Sequence, residues 1–199
     1  MSLLDLLAKC AFPNEKSKPR FVKLIDSFSD WEDKDRYSLR QLQFCLQNIN
    51  DESKYPKLSA LRNVVQSRMN SWPQSRELPK PRDVDPSRID LEEVLDAKLS
   101  EFIEQVRYPS LLWTTRNFAV HELRHPGEGM DFGNGEPTPY YHELMHMPSG
   151  RETWELYFPT VLNSKLITDS SKNLRAEFLE KQVDILARFE SKPDWYTGN

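Results

Sequence analysis

Apolar residues recur along most of this chain at three- and four-residue intervals, the spacing that lines up one face of an α-helix. Leu3, Leu4, Leu7 and Phe12 form the first such stripe, with Ser2 placed to cap it and Pro13 to stop it. Pro19 suits the start of a second helix, carried by Phe21, Val22, Leu24, Ile25 and Phe28. The spacing predicts a third from Asp33 to Ile49 through Leu39, Leu42 and Leu46, and a fourth from Pro56 to Trp72 through Leu58, Leu61, Val65 and Met69. The most regular stripe is Leu91, Leu95, Leu99, Phe102, Ile103 and Val106. Asp90 should cap that helix, and Glu92 and Glu93 suit its N-terminal end. Pro109 should break it, and Ser110 should cap a further helix running to His125, where Pro126 and Gly127 end it. A last helix is expected from Asn173 to Glu190, followed by a frayed tail from Pro193.

Two stretches lack the pattern. Residues 73–88 hold Pro73, Pro79, Pro81 and Pro86 among charged neighbours and read as an exposed, semi-extended loop. Residues 126–150 mix Gly127, Gly129, Gly133 and Gly135 with acids, Pro137 and Pro139, and read as a long loop of a length that is often functional. From Glu152 to Phe158 polar and apolar residues alternate, as in one short strand. The expected fold class is therefore all-α: a bundle of six to seven helices in a single domain, 1–199, with a long Gly/Pro-rich loop after the helix that ends at His125.

Composition narrows the setting. The chain has 199 residues, of which 38% are hydrophobic, and a mean hydropathy of -0.71, so a core is affordable beneath a polar surface. Its net charge of -4 excludes a protein that coats long nucleic acid, but leaves room for an enzyme with a local arginine patch. Cys10 and Cys45, the two cysteines, lie in apolar helical patterns and read as buried thiols, which suits a reducing cytoplasm. The apolar start carries Asp5 and no basic residue before it, unlike a signal peptide, and no apolar run approaches membrane-spanning length.

The densest chemistry lies in Trp113-Thr114-Thr115-Arg116-Asn117-Phe118-Ala119-Val120-His121. Arginine offers a permanent charge and a planar fork of donors suited to phosphate. Histidine exchanges a proton near neutral pH. The block Arg116-Asn117-Phe118-Ala119-Val120-His121 resembles the R-N-x-x-x-H signature of HEPN domains, a helical family that contains many metal-independent endoribonucleases. The resemblance covers roughly Leu39 to His125 as a helix pattern and is sharp over those six residues. It implies a HEPN-like bundle acting on RNA, with Arg116, Asn117 and His121 as the catalytic set and no cofactor. His121 would serve as general acid or base, Arg116 would hold the phosphate, and Asn117 would orient the histidine or the phosphate. The resemblance further implies a homodimer with a composite cleft, and a role as a toxin or anti-phage abortive-infection effector restrained by an antitoxin protein. A non-catalytic HEPN-like module for binding or dimerisation is a further alternative.

Helical geometry adds a constraint. Residues five apart differ by about 140° around an α-helix, so one straight helix cannot aim Arg116 and His121 at one phosphate. Two copies meeting across a two-fold axis can.

A rival zinc chemistry rests on the same histidines. All four fall in two H-E-x-x-H words, His121-Glu122-Leu123-Arg124-His125 and His142-Glu143-Leu144-Met145-His146. On a helix, two imidazoles four residues apart can grip one zinc ion while the glutamate activates water. The second word is the better candidate: His142 and His146 as ligands with Glu143 as base, on a helix confined to about two turns by Pro139 and Pro148. Glu180, Asp184, Glu152 and Glu155 are the options for a third ligand. The alternative cofactor is thus zinc, and the alternative activity is that of a metallopeptidase. Elsewhere, Leu61-Arg62-Asn63-Val64-Val65-Gln66 repeats the Arg-Asn pair without a histidine and reads as an ordinary helix face.

Overall fold

The computed structural model describes residues 3–73, 79–121, 135–146 and 151–184, with backbone alone for 119–121, 144–146 and 151–153. The described chain is mostly helical and carries one two-stranded hairpin. It divides into two compact units. One comprises residues 1–31 with 164–199, the other residues 32–163.

The first unit is built on α1 (Leu3–Ala11) and α2 (Ser17–Phe28), both close to expectation. Leu4, Ala8, Phe21, Leu24, Ile25 and Phe28 are buried, as their spacing demands. The rings of Phe12 and Phe28 meet at 6.1 Å, and the Lys23 ammonium stands 4.7 Å from the Phe12 centroid. Asn173 belongs to this unit and donates its amide to the Phe28 carbonyl at 3.0 Å and to Asp30 at 3.2 Å, satisfying the end of α2.

In the second unit, α3 (Leu39–Gln47) packs against α4 (Leu58–Asn70). The third helix begins six residues later than its apolar pattern suggested. Residues 36–38 are drawn instead into an extended rail, bridged at Arg36 to Ser87 and at Tyr37 to Arg107. Tyr37 N–H donates to Pro86 O at 2.9 Å, and Ser38 N–H donates to Val106 O at 3.1 Å. The Ser38 side chain then caps α3.

The stretch expected as a proline-rich loop contains structure. Here α5 (Pro81–Val84) starts on a proline, where the missing N–H costs nothing, and buries Pro81 and Val84. The long helix expected after Asp90 is broken into α6 (Arg88–Leu91) and α7 (Ala97–Ile103), each followed by a 3-10 turn. Side chains explain the breaks. Ser87 and Asp90 form a reciprocal capping box on α6, which makes Ser87 the cap and not Asp90. Asp96 then restarts the helix by accepting from Leu99 N–H at 2.9 Å, with Leu95 extended before it.

Helix α8 (Tyr108–His121) starts before Pro109, which occupies its first turn and does not block it. Ser110 is inside the helix, where its carbonyl accepts from the Thr114 hydroxyl at 3.1 Å. The expected extension to His125 lies outside the described residues, as does the loop as far as residue 134.

The rest of the expected loop is corrected. Tyr140–His146 forms β1, paired antiparallel with β2 (Arg151–Tyr157) in the register Tyr140 to Tyr157 and His146 to Arg151. The alternation from Glu152 announced β2, but not its partner. Aromatic rings hold the hairpin's base: Tyr140 and Tyr157 meet at 5.4 Å, a cross-strand pairing that favours this register. Pro159 ends the hairpin and α9 (Thr160–Glu180) follows, thirteen residues earlier than expected. Its stripe of Leu162, Leu166, Ser170, Leu174 and Phe178 is buried, and the serine within it hid the first half of the helix from an apolar count. No described helix is long and apolar enough to cross a membrane. Cys10 and Cys45 are free thiols, the first buried and the second half-buried.

Candidate active site on α8 and its supports

The Arg116-Asn117 pair sits in the C-terminal half of α8 with His121 as the last helical residue. The Arg116 Nη1 donates to Asn117 Oδ1 at 2.9 Å. The guanidinium is half-buried, and desolvation pulls its pKa below the ordinary arginine value. It stays charged, since so high a pKa has far to fall before the proton is lost at neutral pH. The amide oxygen thus holds one arm of the donor fork. That contact gives Asn117 a role on arginine, where the sequence suggested histidine or phosphate. The imidazole of His121 lies outside the described atoms, as do Glu122 and His125.

The other end of α8 is anchored by a group that sequence reasoning missed. Asp85 is fully buried and is reached by three donors from three elements. Leu39 N–H at the start of α3 donates to Oδ1 at 2.8 Å, the Tyr108 hydroxyl to Oδ2 at 2.5 Å, and the Tyr141 hydroxyl of β1 to Oδ1 at 2.7 Å. Ser38 Oγ adds a contact of 3.1 Å with the Tyr141 hydroxyl. Burial raises the Asp85 pKa to about 6, against the pull of Tyr108, Leu39 N–H, Tyr141 and Arg36. Both tyrosines are pushed well above their ordinary value, chiefly by burial and then by the Asp85 charge. Asp85 therefore ties α3, α8 and the hairpin into one frame, with the catalytic candidates displaced along α8 from it.

Charged residues brace the same frame. Arg36 donates to the Asp85 carbonyl at 2.8 Å and to Asp33 at 3.0 Å. Arg82, from the stretch read as exposed loop, pairs with Asp33 and Glu32. Arg107 is buried and bonded to Glu104 at 2.6 Å and to the Lys34 carbonyl at 3.2 Å. Trp72 stands edge-on to Tyr141 at 5.0 Å and to Trp154 at 5.8 Å, with the Arg40 guanidinium 4.2 Å from its ring. Trp154 therefore serves in packing.

The second H-E-x-x-H word is a strand, not a helix. Four residues span roughly 13 Å of backbone on a strand, against about 6 Å on a helix. His142 and His146 are thus too far apart along the chain for the one-turn chelate that the zinc alternative required. Glu143 falls on the opposite face of the strand from His142. It is exposed, whereas His142 is buried between the rings of Tyr140 at 4.7 Å and Tyr157 at 5.4 Å. Among the described residues no group of three metal-ligating side chains comes together. Wild-type protein and His146→Gln are accordingly expected to retain the same amount of zinc after exchange and dialysis, measured by elemental analysis. Loss of one equivalent in the variant would restore the chelating pair.

Comparison of the chain with protein-family models, with curated proteins and with solved structures returns no match.

Proposed function

We propose that this chain is a metal-independent endoribonuclease of HEPN type, built as a two-fold dimer, with Arg116, Asn117 and His121 as its catalytic set. One observation carries the reading: the motif lies on a regular α-helix, where Asn117 holds the half-buried Arg116 guanidinium. Positions 116 and 121 differ by about 140° around such a helix, so the chemistry needs a second copy. The HEPN resemblance supplies the reaction. The ribose 2′-oxygen attacks the adjacent phosphorus, and the 5′-oxygen leaves with its bonding pair. His121 of one chain takes the 2′-hydroxyl proton or delivers one to the leaving oxygen. Arg116 of the other stabilises the charge that builds on the non-bridging oxygens. The products are a 2′,3′-cyclic phosphate and a 5′-hydroxyl, and DNA, lacking the nucleophile, is not cut. The same resemblance carries the proposal that the enzyme is a toxin or anti-phage effector kept silent by an antitoxin.

Mixing chains tests the composite site. Arg116→Ala and His121→Ala proteins should each be almost inactive alone. When they exchange subunits, one half-site regains an Arg116 and a His121 from different chains, and activity should return to part of the wild-type level. Sedimentation should show a dimer. A monomer that cuts RNA, or a mixture that stays inactive despite proven exchange, would refute the site.

A further inference from the structure

Arg36, Arg62, Arg68, Arg82 and Arg107 each pair with a carboxylate. Arg40, in the first turn of α3, pairs with none among the described residues. Its guanidinium lies 4.2 Å from the centroid of the Trp72 ring, and that contact fixes its pose. Arg40 is half-buried, and its Nε–H is covered from solvent with no acceptor among the described residues. The indole N–H of Trp72, a residue only 8% exposed, is covered and lacks an acceptor as well. Burial draws the Arg40 pKa down, and the Tyr141 hydroxyl opposes it. That hydroxyl is itself neutral, with its own pKa pushed well above the ordinary value. Arg40 keeps its proton all the same. A covered donor without an acceptor costs stability, and a half-buried charge without a counter-charge costs more. Arg40 is thus a positive charge held in one place by a ring, with nothing in the described chain to neutralise it.

We infer that Arg40, posed by Trp72, anchors a backbone phosphate of the RNA outside the Arg116 and His121 set. A group that settles here must accept hydrogen bonds, donate none, and carry negative charge. A phosphodiester does all three, and its two non-bridging oxygens match the planar fork of a guanidinium. The Nη groups of Arg40 are not among the covered atoms, so the fork keeps an open edge. Its place in the fold suits a substrate chain. Leu39, the residue before Arg40, and Tyr108, at the start of α8, share the Asp85 carboxylate. Arg116 lies about 12 Å further along α8 than Tyr108, a distance that a few nucleotides bridge. A contact to the backbone carries no sequence information, so Arg40 contributes affinity and register, not base choice. The inference rests on the reading of RNA as this chain's ligand.

The test adds Arg40→Gln or Arg40→Lys to full-length His121→Ala protein, which should not cut its probe. Binding of short fluorescent oligouridylate and oligoadenylate is followed by anisotropy over a range of salt concentrations. Arg40→Gln should weaken both oligomers alike, roughly tenfold. It should also flatten the plot of log affinity against log salt by one phosphate's worth, a slope change of roughly 0.7 for single strands. A merely structural arginine would not move that slope. Arg40→Lys keeps the charge and loses the fork, so it should keep the slope and lose part of the affinity. Glutamine and lysine both suit a helix and retain a long stem over Trp72, and circular dichroism checks the fold. An unchanged slope in folded Arg40→Gln would overturn the anchor, and so would a flattened slope in Arg40→Lys. Oligoglutamate of equal charge competing as well as RNA, and losing its effect in Arg40→Gln, would assign the site to an acidic protein segment and overturn the phosphate. An Arg40-dependent slope in a chain whose wild type cuts no RNA would keep the anchor and remove the ribonuclease. Motif-dependent cleavage with no Arg40 effect on the slope would do the reverse.

Discussion

Alanine at His121 is expected to slow RNA cleavage by roughly two to four orders of magnitude, with the fold unchanged. Arg116→Ala should cost a similar amount, because a donor aimed at developing charge contributes on the order of two to three orders of magnitude. Both effects should appear in excess EDTA, and the products should carry a 2′,3′-cyclic phosphate. Arg116→Lys separates charge from geometry. A lysine keeps the positive charge but loses the planar fork that Asn117 holds at 2.9 Å. It should therefore recover only a minor part of the activity. Asn117→Asp would place a carboxylate where a neutral amide oxygen now accepts, drawing the guanidinium away from phosphate. The reading fails if cleavage needs an added metal ion and survives Arg116→Ala.

The helices with uninterrupted stripes were legible. Leu3–Ala11, Ser17–Phe28 and Leu58–Asn70 lie close to where their apolar spacing and prolines placed them. Failures arose where a polar side chain competes with the helix for backbone groups. Ser87, boxed with Asp90, starts one helix early, and Asp96 starts a second, because Asp96 caps a new start more favourably than it continues an old one. Residues 35–38 leave the helical pattern for long-range pairing with 86–88 and 106–108, which no local signal encodes. Periodicity also misread the hairpin. Tyr140-Tyr141-His142-Glu143 carries strand-favouring aromatics, but the prolines at 139 and 148 fit a short helix or a strand equally well.

The candidate site was legible in part. Arg116, Asn117 and His121 share one helix, as their spacing required. The bond that ties Asn117 to Arg116 was not foreseen, since adjacent residues on a helix do not face each other by spacing alone. The frame behind the site was hidden entirely. Asp85 lies in a stretch rich in proline and charge, the composition of a solvated loop, yet it is fully buried. Only the apolar Val84 beside it hinted at burial.

Asp85→Ala is expected to destabilise the second unit by about 4 kcal/mol, the largest effect of any substitution outside the motif. Three buried donors, Leu39 N–H and the Tyr108 and Tyr141 hydroxyls, lose their acceptor at once. Asp85→Asn should cost far less. Its oxygen can still accept from Leu39 N–H, its amide can donate to one tyrosine oxygen, and hydroxyl protons rotate to suit. The pH response distinguishes the two roles of the carboxyl. The folded state raises its pKa from 3.8 to about 6, so the folded chain prefers the proton. That preference stabilises the fold fully below the unfolded value, and it is lost as pH rises through the folded one. The span corresponds to about 3 kcal/mol, confined to the window between pH 3.8 and about 6. In denaturant titrations the wild type should thus lose stability across this window relative to Asp85→Asn, whose curve lacks this contribution. Tyr108→Phe removes a hydrogen bond that lowers the Asp85 pKa, so it should move the upper edge of the window to higher pH. Identical pH profiles for wild type and Asp85→Asn would show that the carboxyl titrates alike in the folded and unfolded states.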